Sequence, residues 1–140
     1  MEKIIKVWGW EEIIVNNEKY CAKFLNLHSG ARSSIHYHAK KHETFMLLKG
    51  SVELWKSSKP LGEIDQKMVM KLKEPVTIPA LVPHRFIGNL DSTILEVSTP
   101  HSDQDVYRLE PSKASESKAV KDESQLNPLS QKLSKAKEAG

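Results

Sequence analysis

The stretch SSIHYHAKKHETFMLLKG, residues 33–50, crowds three histidines and a glutamate together and then turns apolar. On an extended strand alternate side chains share a face. Arg32, Ser34, His36 and His38 therefore fall on one face of ARSSIHYH, and Ser33, Ile35 and Tyr37 on the other. Beyond a short turn, Glu43 shares a face with Phe45 and Leu47, and antiparallel pairing would set it beside the two histidines. His84, in the proline-bounded stretch IPALVPHRFIGN, offers a fourth donor. Three imidazoles and one carboxylate suit Fe(II), Mn(II), Ni(II), Co(II) or Zn(II). On an octahedral ion they leave two positions open, enough for a bidentate substrate. One divalent metal ion is the expected cofactor, held by His36, His38, Glu43 and His84. His42 is out of phase with Glu43 and is expected at the rim; His28 and His101 lie beside turns and read as surface residues.

These residues must be positioned by strands. The body, up to about Glu110, is a series of short, β-branched or alternating segments such as EEIIV, YCAKFLNL, TFMLLKGSVELW, PVTIPA and TILEVS. Turn residues separate them, among them Asn16-Asn17, Ser29-Gly30, Pro60 to Gly62 and Pro79. No segment carries a sustained 3.6-residue apolar period, so the expected class is all-β, a sandwich or barrel. LLKGSVELW reads as two strands hinged at Gly50, a bend typical of a barrel corner. The chain has 140 residues, enough for one domain with a core. From Ser112 to Gly140 six lysines face four acidic residues, so this stretch supplies +2 of the formal net charge of +3. The body is close to neutral and lacks a basic stripe, so nucleic acid is not an expected partner. Residues 111–140 contain no aromatic residue and are rich in Ser, Lys, Ala and Glu. They are expected to form a flexible tail, or a short helix starting at Asn127-Pro128. Cys21 is the only cysteine, which excludes an intramolecular disulfide. With no apolar run long enough for a membrane span and an early-charged N-terminus, a cytoplasmic location is expected.

The spacing of Gly30, His36, His38, Glu43 and Gly50 resembles the first motif of the cupin superfamily without departure. The second cupin motif is matched at Pro79 and His84, while Lys73 and Leu81 stand at its two glycines and Asn89 comes one residue late. A narrower resemblance, over about Lys6 to Glu110, is to the C-terminal cupin domain of type II mannose-6-phosphate isomerases. It rests on KVWGWEE, YCAKFLNLHSGARSSIHYH, IPALVPHR, ILEVSTP and DQDVYRLE. In that family a glutamine usually stands at the place of His36, and the run before the glutamate usually carries His and Arg where this chain has AKKH. The resemblance implies a double-stranded β-helix, the cupin jelly-roll barrel, and a homodimer. It also implies a metal-assisted reaction on a sugar or sugar phosphate.

Chemically, the metal would polarise a carbonyl as a Lewis acid, acidify the neighbouring C–H and stabilise an enediolate. Glu96 or Lys23 would move the proton, Arg32 would hold a distal phosphate or carboxylate, and Phe45 and Phe86 would form cavity wall. Trp8, Trp10 and Trp55 are expected in the core or a dimer contact. The same four ligands serve an Fe(II)-dependent dioxygenase equally well, and a non-catalytic sugar-binding or regulatory cupin is the third alternative. Polar groups lining the cavity beside the ligands would separate the enzyme readings from the third.

Overall fold

The computed structural model of the chain describes residues 1–115, so the short helix expected from Asn127 lies outside the described residues. Every described element is a strand, as the short alternating segments predict. They are β1 (Glu2–Lys6), β2 (Gly9–Asn16), β3 (Cys21–Leu27), β4 (Ile35–Tyr37), β5 (Glu43–Lys49) and β6 (Val52–Lys56). After these come β7 (Gln66–Val69), β8 (Val76–Ile78), β9 (His84–Gly88), β10 (Ser92–Ser98) and β11 (Tyr107–Glu110). Two sheets form, in the orders β1-β2-β3-β10-β5-β8 and β11-β4-β9-β6-β7. Every pairing between these strands is antiparallel.

The predicted hinge at Gly50 is where the chain leaves the larger sheet on β5 and enters the smaller one on β6. Its φ of +93° is a conformation that L side chains rarely adopt, and a Cβ there would lie 2.6 Å from the Asp91 carbonyl oxygen. All four positions at which the resemblance has a glycine, Gly30, Gly50, Lys73 and Leu81, have positive φ in this chain. Gly30 has φ +83°, and the two residues standing where the second motif has glycine, Lys73 and Leu81, also have positive φ, +57° and +71°. The chain keeps the left-handed turns and bears their strain with side chains attached.

The register of the larger sheet sorts its inner face into rows. Leu25, Ile94 and Leu47 stand opposite one another, then Lys23, Glu96 and Phe45, then Cys21, Ser98 and Glu43. The apolar row packs with Val52, Leu54 and Phe86 of the smaller sheet to form the core. Each such buried aliphatic side chain contributes about 1.5–3 kcal/mol. Polar and ionisable residues crowd the other end of the same face, and that end holds the cavity. Beyond β11 the chain stays on the barrel: Arg32 and Lys113 exchange backbone hydrogen bonds of 2.8 and 2.9 Å, and Ser112 and Ser115 are buried. Among the described residues no helix is long and apolar enough to cross a membrane.

Candidate metal centre

His36 and His84 face each other directly across β4 and β9, with ring centroids 4.6 Å apart. His38 follows one alternate position on, just past the end of β4. The candidate ligand nitrogens of His36, His38 and His84 all lie within 4.8 Å of one another. Each ring is held through its other nitrogen. His36 Nδ1 lies 2.9 Å from Ser34 Oγ and 3.1 Å from Ser34 O, His38 Nδ1 donates to Asp105 O at 2.7 Å, and His84 Nδ1 to Val82 O at 3.0 Å. A proton on Nδ1 leaves the Nε2 lone pair free to converge, the arrangement in which a carbonyl orients a metal-binding imidazole. Burial, reinforced by His84 and His38, pushes the pKa of His36 well below the ordinary imidazole range, so it is neutral and a competent ligand.

Glu43, at the start of β5, reaches the same point. Its Oε1 lies 3.4 Å from His38 Nε2 and its Oε2 3.3 Å from His84 Nε2. Although they are in ion-pair range, neither Glu43 Oε2 nor His84 Nε2 has a hydrogen-bond partner, and both are buried. Buried polar atoms left unsatisfied are costly, and two of them facing one space fit a cation held between them. Burial raises the pKa of Glu43, but His38, His84 and Lys41 outweigh it and hold the carboxyl well below the usual carboxylate range. Imidazole nitrogens bound at about 2.1 Å to one ion lie within roughly 4.2 Å of each other. The histidines need little contraction to close on one, and the donor set fits a divalent metal.

Beside the imidazoles lies a cavity of about 240 Å³. Typical pockets for drug-sized ligands occupy about 300–1,000 Å³, so this one takes a small molecule. Lys23, Glu96, Phe45 and Phe86 all line it, Glu96 and Phe45 as expected from strand parity. Lys23 pairs with Glu11 at 3.4 Å, and Trp8 packs into the cavity wall. The central ionic group is one that the sequence reading passed over, Lys41. Its ammonium, buried at 3% exposure, lies 2.7 Å from Glu96 Oε2 and 3.3 Å from Glu43 Oε1. It also donates to His101 Nδ1 at 3.0 Å, while His101 Nε2 donates to Asp103 at 2.9 Å. The Asp105 carboxylate accepts from the backbone N–H groups of Ala39, Lys40 and Lys41, and Thr99 Oγ1 accepts from His42 N. These bonds shape the AKKH turn so that Lys41 points in and His42 out.

The structure departs from expectation at two positions. His101 is not a surface residue, because its ring is turned onto Lys41 while Asn16 ties down its backbone. Arg32 does not join the ligands. Its guanidinium stacks over Trp55, 5.7 Å from the ring centroid, outside the cavity. Parity fails there because β4 begins only at Ile35, and Ser33 and Ser34 both turn inward, with Ser33 bonded to the Phe86 backbone through both N and Oγ. The signal for Lys41 was present, since it has the parity of Glu43; nothing local marked His101.

No protein-family model and no curated protein sequence matches the chain. Solved structures do match in fold, and they are cupin-fold proteins. KdgF from a Halomonas species is 16% identical with a TM-score of 0.58, over 68% of this chain and 82% of that one. The L-ribose isomerase of Cellulomonas parahominis, solved with L-psicose, is 13% identical with a TM-score of 0.62, over 70% and 68%. The capsular polysaccharide assembling protein CapF of Staphylococcus aureus is 18% identical with a TM-score of 0.64, over 78% of this chain and only 34% of its own. At such identities the likeness carries the cupin fold and nothing finer.

Proposed function

We propose that this chain is a metal-dependent cupin enzyme that interconverts small sugars or sugar phosphates by moving a proton at a carbon next to a carbonyl. The observation that carries this is the ion pair of Glu96 and Lys41, buried in the same small cavity as the three imidazoles and Glu43. A pocket that served only to hold a structural metal would have no use for two charged, non-ligating groups facing its interior. A divalent ion held by His36, His38, His84 and Glu43 would supply Lewis acidity toward the substrate's carbonyl and hydroxyl oxygens.

The rest of the chemistry falls to the chain. Glu96, held by Lys41 and by the Ser98 hydroxyl at 2.9 Å, takes the proton from C2. Returning it to C1, with the hydroxyl proton passing from O2 to O1, completes an aldose–ketose isomerisation; returning it to the opposite face of C2 gives the epimer. Lys41, whose three donors point at Glu96, Glu43 and His101, fixes the position of the Glu96 carboxylate, and Lys23 pairs with Glu11 on the adjacent wall. Phe45 and Phe86, in edge-to-face contact at 4.8 Å, keep water off the reacting carbons. The resemblance to mannose-6-phosphate isomerases and the fold shared with an L-ribose isomerase point the same way.

The test is exchange in deuterium oxide. Protein loaded in turn with zinc, manganese, iron(II), cobalt and nickel is incubated with aldoses and sugar phosphates, and C2 deuteration and product are read by NMR. At least one pair should exchange, and Glu96→Gln should abolish it while retaining the metal. Folded, metal-loaded protein that exchanges nothing would refute the proposal. Oxygen uptake by the iron-loaded form would instead place the chain among the dioxygenases.

A further inference from the structure

The charges inside the cavity are matched. Lys23 faces Glu11, Lys41 faces Glu96 and Glu43, and Lys41 and Asp103 bind the two nitrogens of the neutral His101. At the mouth the pattern changes. Arg108 and Lys6 both line the cavity; the Arg108 side chain makes no hydrogen bond or ion pair with any described residue, and Lys6 lies in the field of Asp103 without forming an ion pair. Arg108 stands directly opposite His36 in the pairing of β11 with β4. Directly paired residues of antiparallel strands share a face with Cβ atoms about 4.5–5.5 Å apart, so the guanidinium rises beside the imidazoles. Lys6 approaches from the other sheet, at the end of β1.

An exposed arginine is ordinarily just solvated. Arg108 differs by position: it is a planar double donor one strand away from the converging imidazoles, at the rim of a cavity whose inner carboxylates, Glu11, Glu43 and Glu96, each face a lysine. We propose that the ligand of this cavity carries an oxyanion, a carboxylate or a phosphate, which the Arg108 guanidinium receives with support from Lys6. The fork geometry of arginine accepts either anion in two parallel hydrogen bonds, which a lysine cannot reproduce. The anchoring role that strand parity assigned to Arg32 passes to Arg108. The inference rests on the cavity being the substrate site; it narrows the substrate class from sugars in general to anionic ones.

Mannose, mannuronate and mannose 6-phosphate share a ring and differ at C6, so titration calorimetry of the three against the full metal-loaded chain isolates the anion. At least one acid should bind about tenfold more tightly than mannose or better, with affinity falling as salt rises. Arg108→Ala and Arg108→Gln should each remove most of that advantage without changing mannose binding, and Arg108→Lys should restore only part. Preference for mannuronate identifies a carboxylate ligand, and preference for the phosphate a phosphorylated one; both support the inference. Mannose binding as tightly as the acids, acid affinity unchanged in both Arg108 variants, or no acid binding by the wild type overturns it. Acid binding without C2 exchange would remove the isomerase proposal and leave this one standing. Exchange in mannose alone would do the reverse.

Discussion

Replacing Lys41 by methionine removes a buried cation from between two buried carboxylates. At an effective dielectric constant near 20, charges 2.7 and 3.3 Å apart attract by about 6 and 5 kcal/mol before desolvation is counted. Most of that gross attraction offsets the cost of taking the three charges out of water. The net loss on deleting one partner of a buried pair is about 3–5 kcal/mol, because the charges left behind have no compensation. Methionine nearly conserves the volume, so little of the loss comes from a cavity. Chelated Lys41→Met protein should therefore unfold in urea with its stability lowered by about 3–5 kcal/mol. Its thermal midpoint should fall by more than about 10 °C. Adding Glu96→Gln should recover about 0.5–3 kcal/mol, since the two positions share one interaction. A loss below about 1 kcal/mol, or strict additivity of the two changes, would show that the ammonium is solvated and that the cavity is wetter than its geometry implies.

Other consequences are as direct. His84→Ala should lose the bound divalent ion, or bind it at least about tenfold more weakly, whereas exposed His42→Ala should keep one equivalent by elemental analysis. His101 is bound in its neutral form, and burial, then Lys41 and Lys23, hold its pKa below the ordinary imidazole value. A folded pKa below the unfolded one confers stability that is complete above about pH 6.5 and lost as pH falls. The thermal midpoint of chelated protein should thus drop toward acid more steeply than that of His101→Asn; equal slopes would contradict the assignment. Lys73→Gly, at an exposed position with φ +57°, should raise stability by about 0.5–1 kcal/mol in the same urea titration. Cys21 is fully buried and its thiol is pushed up by that burial, so native protein should resist a disulfide reagent at mild alkaline pH and react only on unfolding.

Strand periodicity made much of the site legible. A period of two put His36 with His38, Glu43 with Phe45, and Glu96 on an inner face, and each of these lines the cavity. Gly30 and Gly50 marked positive-φ turns, because a missing Cβ is a local property readable without the fold. Where the chain stops alternating, that logic loses its footing. Ser33 and Ser34 both turn inward, and Arg32 is thrown out onto Trp55. Lys73 and Leu81 carry no composition signal, yet their backbones lie in the left-handed region.

The amino-acid order alone determined that this chain is built of strands and which donors share a face, because side-chain alternation depends only on neighbours. Tertiary structure decided which faces meet. Only the antiparallel register sets His36 against His84 and Lys23 against Glu96. Only the carboxylate of Asp105, 64 residues away, shapes the turn that sends Lys41 between Glu43 and Glu96. Pairings between distant segments are fixed by packing and by the need to satisfy buried charge, and no local pattern encodes them.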